Sequence, residues 1–311
     1  MRWPLREEEL PRGYRLTRSR GGVLAFDSRV GAHLESGGFG PEGRERLEVS
    51  EFSGRRPLQV LHGGPRGERY VVRAFHHGGV FRWLGSSFYF DPRRPFHELA
   101  LAEKLEGLGI RTPRVVAARA RRAGAMGWRL DLVTRAVEHS MDGAQALERL
   151  RRGELDAGQR RVLFRGAGTL VGHLHRVGFQ HRDLHPRNLL FDVDLKAEEE
   201  SWVLDLDGSH FVSGGLSDAL RRKNLSRMWR WVRRKQERLG AFCQQGDVAR
   251  FMRAYEAVRG KGSPAWRMDW RGVEQMDRRG RLLHRSGWLL EGCLGVGHER
   301  HDGVPERRPQ A

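Results

Sequence analysis

The chain has 311 residues, 38% hydrophobic and 31% charged, enough for one large domain or for two lobes that share a cleft. Its 57 Lys and Arg against 39 Asp and Glu leave a formal charge of +18, which favours polyanionic partners such as nucleic acid, anionic headgroups or a phosphorylated glycolipid, although arginine used wherever lysine would serve gives the same excess. Cys243 and Cys293 lack metal-ligand spacing, no apolar run approaches a spanning helix, and the opening MRWPLREEEL has no apolar core, so zinc sites, disulfide frameworks, spanning helices and a secretory signal are not indicated.

Residues 1–46 are rich in Gly, Arg and Glu and read as a flexible surface extension. Within it Gly37-Gly38-Phe39-Gly40 imitates a phosphate loop, but nothing after it reads as a paired strand. Strands are expected at Leu47–Phe52, Leu58–His62 and Tyr70–Phe75, separated by Ser53-Gly54-Arg55-Arg56 and by the turn-forming run His62–Gly67. Phe96, Leu99, Ala100, Leu105 and Leu108 fall mostly on one helical face, with Gly109 as a stop. Val115–Ala120 and Arg129–Thr134 read as a strand pair.

The second half begins with a helix marked by Leu163, Ala167, Leu170, Val171 and Leu174 and closed by Gly178. A loop at 181–188 follows, then strand Leu189–Val193, a polar turn and strand Trp202–Leu206. Residues 218–258 read as helices; beyond about Gly260 the periodicity fades, and 297–311 reads as disordered.

The loop His181-Arg182-Asp183-Leu184-His185-Pro186-Arg187-Asn188 carries the chemistry. Phosphoryl transfer needs a carboxylate to take the acceptor's proton and oxygen ligands for magnesium, and little covalent help. Asp183 and Asn188, five residues apart on one rigid loop, divide those tasks. The strand ending in Asp205 is expected to hairpin with Leu189–Phe191 and so bring Asp205 beside Asn188. His181 is expected to be structural. Taken singly, Asp183 also reads as a turn residue and Asn188 as a cap.

Around this loop the chain resembles the lipopolysaccharide-core kinases, and among them most closely the 3-deoxy-D-manno-octulosonic acid (Kdo) kinases. The matching segments are VVRAFHHGGVFRWL at 71–84, RPFHELALAEKLEGLGIRTPRVVAAR at 94–119, RLDLVTRAVE at 129–138, HRDLHPRNLLFD at 181–192, WVLDLDGSH at 202–210 and KNLSRMWR at 223–230. The resemblance implies an α+β, bilobal protein-kinase-like fold with a small antiparallel-sheet N-lobe and a mainly helical C-lobe. The corresponding division is an extension at 1–46, N-lobe and hinge at 47–138, C-lobe at 139–260 and a partly disordered tail at 261–311. It also implies ATP bound with magnesium between the lobes, and transfer to a Kdo hydroxyl on lipid A. Carried over by position, Asp183 is the catalytic base, Asn188 and Asp205 hold the metal, and Arg73 stands where kinases place a lysine, with Glu98 as its helix partner. Asp205-Leu206-Asp207-Gly208 replaces D-F-G, as D-F-D does in Kdo kinases. The glycine loop is reduced to Gly54, beside Arg55 and Arg56, which read equally as phosphate contacts or a solvated turn. Arg182 is expected to lack the phosphorylated partner that it reads in protein kinases.

Residues 221–238, RRKNLSRMWRWVRRKQER, read either as a basic amphipathic helix for an anionic membrane surface or as a lobe helix with core tryptophans and solvated arginines. The implied partners are a Kdo-lipid A type glycolipid and the cytoplasmic face of the inner membrane, bound peripherally from the cytoplasm. No nucleic acid is expected, for want of a recognised motif. The rival readings are a heptose kinase, an aminoglycoside-phosphotransferase-like enzyme favoured by Asp183-Leu184-His185-Pro186, and a pseudokinase or membrane-binding module favoured by the missing lysine. Binding of ATP with magnesium separates enzyme from scaffold.

Overall fold

The computed structural model describes residues 3–43, 48–49, 59–61, 67–75, 88–124, 127–260 and 266–278. Gly54, Arg55, Arg56, the 76–84 part of the family-like segment, Cys293 and the polar end at 297–311 lie outside the described residues. The first part is built on β1 (Tyr14–Arg18), β2 (Gly22–Asp27), helix α1 (Gly31–Ser36), β3 (Glu48–Val49), β4 (Gln59–Leu61), β5 (Tyr70–Ala74), helix α2 (Arg94–Gly107), β6 (Val115–Arg122) and β7 (Trp128–Arg135). Its strands form one antiparallel sheet in the order β1-β2-β6-β7-β5-β4-β3.

This sheet is covered on both faces. Phe96, Leu99, Ala102 and Leu105 of α2 pack against Val23, Ala25, Ala118, Leu130 and Leu132 on one side. Leu34 of α1 and Phe39 pack with Leu24, Val72, Ala117 and Val133 on the other. Burial on both sides explains why β6 is apolar along most of its length rather than alternating. It also explains the buried Arg119, which spends its charge on Asp131 at 2.9 Å and lies 3.8 Å over the Phe39 ring.

The expected flexible surface extension is corrected here. Residues 14–27 are a hairpin that pairs with β6, so the sheet has two more strands than the sequence suggested. Val23-Leu24-Ala25 is a fully buried run in a polar, arginine-rich setting, and such a run carries no alternating signature. Gly37–Gly40 is no phosphate loop but the end of α1: Gly38 takes φ +71°, and the Phe39 amide returns to the Leu34 carbonyl at 2.8 Å.

The second part comprises β8 (Ser140–Asp142), α3 (Gly143–Arg151), α4 (Ala157–Arg176), β9 (Phe179–Gln180), β10 (Leu189–Asp192), β11 (Ser201–Val203), β12 (His210–Phe211), α5 (Asp218–Leu239), α6 (Gln245–Val258) and a helix α7 at 266–278. An antiparallel-sheet part followed by a mainly helical one is the α+β, bilobal arrangement expected. Asp142 and Asp156 cap α3 and α4 through backbone amides two and three residues on. Helices α4 and α6 approach so closely that a β-carbon at Gly168 would stand 2.2 Å from the Phe251 carbonyl oxygen. The expected hairpin is present, with Leu189 opposite Val203.

Helix α7 lies where the sequence pattern fades. It is held by Val273, fully buried, by Trp270 edge-on to Trp229 at 4.9 Å, and by two buried carboxylates. Asp269 pairs with Arg222 at 2.9 Å and Arg259 at 3.2 Å, and Asp277 pairs with Arg233 at 2.8 Å. Much of its hold is therefore ionic, with most partners over forty residues upstream, which a hydrophobic period cannot show.

A buried polar chain crosses the helices. His175 on α4 faces the Tyr255 hydroxyl of α6 at 2.9 Å and the Asn224 Oδ1 of α5 at 3.3 Å, and the Asn224 amide donates to the His181 carbonyl at 2.9 Å. Burial pushes the His175 pKa down to about 3. The unfolded chain therefore takes up a proton below about pH 6.5 that the folded protein refuses, so this stability is fully present above pH 6.5 and is lost as pH falls. Urea unfolding at a series of pH values should show about 3 kcal/mol lost from this group by pH 4.5. His175→Gln should flatten that slope, and an unchanged slope in the variant would exclude His175 as its source.

Candidate active site

The loop 181–188 is held from beneath. Leu184 is fully buried, and His181, 1% exposed, spends both ring nitrogens on main chain. Its Nε2 faces the Leu204 carbonyl at 2.9 Å, and its Nδ1 accepts from the Asp183 amide at 3.1 Å. That pattern is the neutral ring with its proton on Nε2, and burial lowers the pKa in agreement. His181 is structural, as expected from the sequence.

Asn188, 8% exposed, donates its side-chain amide to the Asp183 carbonyl at 2.9 Å. Its own backbone carbonyl accepts from the Leu204 amide at 2.9 Å. Asp205, the next residue, thus starts from a backbone hydrogen-bonded to Asn188. It adopts φ +55°, a left-handed conformation that costs a non-glycine residue about 1 kcal/mol or more and breaks the strand there. Leu206 then turns into the core at 2% exposure, while the Asp205 side chain stays partly exposed.

The sheet reaches this turn through Arg73. In β5, Tyr70 and Val72 face the α1 side, so Arg73 faces α2 by strand alternation. Its guanidinium donates to Glu98 and, at 2.5 Å, to Asp205 Oδ1. Glu98 is 4% exposed, and its other oxygen accepts from the Leu206 amide at 3.1 Å. Burial pushes the Glu98 carboxyl above its ordinary value, and Arg73 pulls it back. A second, parallel link joins Arg94 at the start of α2 to Asp207, with Nε to Oδ1 at 3.1 Å. Arg73 lies 4.8 Å over the Phe75 ring and Arg94 lies 4.8 Å over Tyr89.

Asp183 is about half exposed. Its Oδ2 stands 3.4 Å from His185 Nε2, and its Oδ1 stands 3.5 Å from an Arg227 nitrogen of α5. Arg227 also donates to the Arg182 carbonyl. Of the sequence-derived site residues, Asp183, Asn188 and Asp205 come together, Arg73 and Glu98 join them, and Gly54 lies outside the described residues. Arg94, Asn224 and Arg227 went unremarked as site residues, although the last two belong to the family-like segment KNLSRMWR.

The donor set suits a hard cation. Asn188 commits its NH2 to Asp183, leaving the amide oxygen as a ligand, and Asp205 is a carboxylate with 42% side-chain exposure. Among the described residues there is no cluster of three or more His, Cys, Asp or Glu that could hold a metal alone. A magnesium ion that takes the rest of its ligands from phosphate and water fits such a sparse set.

The basic helix packs as the lobe helix of the second sequence reading, except that several of its arginines are ion-paired rather than solvated. Leu225 and Val232 are buried, and Met228, Trp229 and Trp231 pack against the core. Arg222, Arg230 and Arg233 pair with α7. Among the described residues no helix is long and apolar enough to cross a membrane.

The chain is similar to known proteins over much of its length. A model of the lipopolysaccharide kinase (Kdo/WaaP) family matches residues 47–255. A protein named 3-deoxy-D-manno-octulosonic acid kinase from Vibrio vulnificus (strain YJ016) is 27% identical over 191 residues, 60% of this chain and 75% of that protein. The kinase of the same name from Stenotrophomonas maltophilia is 28% identical over 257 residues, 78% of this chain and 92% of its own. A solved structure titled WaaP in complex with acyl carrier protein superposes with a TM-score of 0.51 at 19% identity, covering 75% of this chain and 88% of that one, a likeness that speaks to the fold alone. The family match spans the loop 181–188 together with Arg73, Glu98 and Asp205, so the chain belongs to the lipopolysaccharide kinase (Kdo/WaaP) family and is a phosphotransferase with an alcohol group as acceptor.

Proposed function

We propose that the protein transfers the γ-phosphoryl group of ATP to a hydroxyl of a Kdo sugar on a lipid A type glycolipid. The supporting observation is the meeting of Asp183, Asn188 and Asp205 in one place, tied to Arg73 of the sheet and Glu98 of α2. The Kdo acceptor follows from the relatives' name and the family. Magnesium, held by Asn188 and Asp205, would supply charge neutralisation on the phosphates. Asp183 accepts the proton of the attacking hydroxyl, and His181 fixes the loop that carries it. Arg73, steadied by Glu98, presents a permanent positive charge to phosphate oxygens in the lysine's place. A lipid-linked acceptor places the enzyme against the cytoplasmic face of the inner membrane, and the exposed Arg234, Arg238 and Leu239 at the end of α5 support a peripheral, anionic-surface contact there.

Asp183→Ala should abolish phosphate transfer while leaving the unfolding free energy within about 0.5 kcal/mol of wild type, because its side chain is half exposed. The assay is mass spectrometry of products after incubation with Mg-ATP and Kdo-lipid A, beside heptosylated core and an aminoglycoside. A phosphate gain only on the aminoglycoside would sink the Kdo reading.

Arg73→Met strips the counter-charge from a buried carboxylate and should cost about 3 kcal/mol in urea unfolding as well as turnover. Arg73→Lys keeps the charge but not the two-way fork between Glu98 and Asp205, so it should recover most of the stability and only part of the rate. Equal rates for these two variants would show that the charge at this position is unimportant to transfer.

A further inference from the structure

Beside the loop 181–188, between β9, the turn at Gly208 and the first half of α5, lies a cavity of about 150 Å3 lined by Arg182, His210, Lys223 and Arg227, with Gln180 and Asn224 completing the wall. Three of these side chains are cations, while no carboxylate lines the space. The other arginines on this stretch of α5 are spoken for: Arg221 pairs with Asp218, Arg222 with Asp269, and Arg230 and Arg233 with Asp277. Arg182 and Lys223 pair with no carboxylate among the described residues. Arg227 has Asp183 Oδ1 at 3.5 Å, so two of the three cations stand without a carboxylate, and an anionic ligand would relieve their mutual repulsion.

The cavity is a built feature rather than a loose surface. Asn224 in its wall is 3% exposed and fixed by the His181 carbonyl and by His175. The Arg182 side chain lies across Gly208, where a β-carbon would stand 2.5 Å from its guanidinium nitrogen, so the glycine makes room for it. Arg227 belongs to the cavity wall and also approaches Asp183 Oδ1 at 3.5 Å. An anion seated here is therefore one guanidinium away from the carboxylate that is proposed to receive the acceptor's proton. The space is many times the roughly 15 Å3 that one water needs, enough for a carboxylate or a phosphate.

Resting on the Kdo kinase reading above, we propose that this cavity binds the carboxylate of the accepting sugar and so sets specificity for a sugar acid. In such a sugar the carboxylate and the accepting hydroxyl belong to one sugar residue, and Arg227 joins the cavity wall to Asp183. A phosphate on a neighbouring sugar is anionic too, but stands a further ring away from the hydroxyl. Arg182, which the sequence comparison left without a role, becomes an acceptor-binding residue.

The test has two arms. In the binding arm, ligand-observed NMR titrates wild type, Lys223→Met and Arg182→Gln with free Kdo, with its methyl ester and with inorganic phosphate. Lys223 is exposed, so its substitution leaves the fold intact, and circular dichroism checks both variants. The expected result is that wild type binds the acid at least tenfold tighter than the ester, and that Lys223→Met weakens the acid about tenfold and leaves the ester unchanged. Equal binding of acid and ester by wild type overturns the proposal, as does an equal loss for both in the variants. Binding of inorganic phosphate that depends on Lys223, with no such dependence for the acid, overturns the carboxylate in favour of a phosphate. The second arm measures turnover with Kdo-lipid A. Acid binding that depends on Lys223 without any transfer leaves the cavity's assignment standing and removes the kinase reading. Transfer whose acceptor KM ignores both Lys223 and the ester does the reverse.

Discussion

A carboxylate that is 4% exposed must be paired and hydrogen-bonded, and Glu98 meets that demand with partners from two distant places in the chain. One oxygen holds Arg73 of β5, the other holds the Leu206 amide, and the residue itself rides on α2. Helix α2 is in turn seated by Phe96, Leu99, Ala102 and Leu105, so apolar packing sets the position from which the charge acts. The sheet, its covering helix and the Asp205–Asp207 turn are thereby referred to a single point. Arg94 repeats the tie to Asp207 one helical turn earlier on α2, with Tyr89 beneath its guanidinium. Two arginine–carboxylate links in parallel resist rotation of one part against the other better than one does.

The helical part secures the loop 181–188 by different means. There the loop rests on neutral hydrogen bonds: His181 to main chain, Asn224 to the loop, His175 to Asn224 and Tyr255 to His175. A chain of neutral donors and acceptors is rigid without the desolvation cost of buried ions. The close approach of α4 and α6 at Gly168 holds two of its members in place.

How much of this was legible follows from what a local pattern can carry. Strand β5, helix α2, the β6–β7 pair and the β10–β11 hairpin all announce themselves by composition and periodicity, and the loop that carries Asp183 by its eight residues. The neighbourhood of Asn188 and Asp205 followed from the hairpin register alone. Strand β2 was misread because a short strand buried on both faces has no alternation, and this one sat among arginines. Helix α7 was missed because Asp269 and Asp277, polar by type, are buried against arginines on α5. Arg94 and Asp207 are 113 residues apart, and nothing near either residue names the other. The tryptophans of α5 could not be assigned from sequence, since packing on a neighbour and lying on a surface use the same face; Trp229 has Trp270 as its neighbour.

That neighbour has a further consequence for the chain's charge. The +18 is not spread evenly as a coat. Along α5 much of it is quenched by α7, whose Asp269 and Asp277 act as built-in counter-ions for arginines that would otherwise condense anions from solution. Protein cut short near Gly260 would lose these counter-ions and bare the Trp229 face at the same time. Such a fragment would cling to any polyanion or detergent offered to it, and its apparent affinities would describe the wound rather than the enzyme.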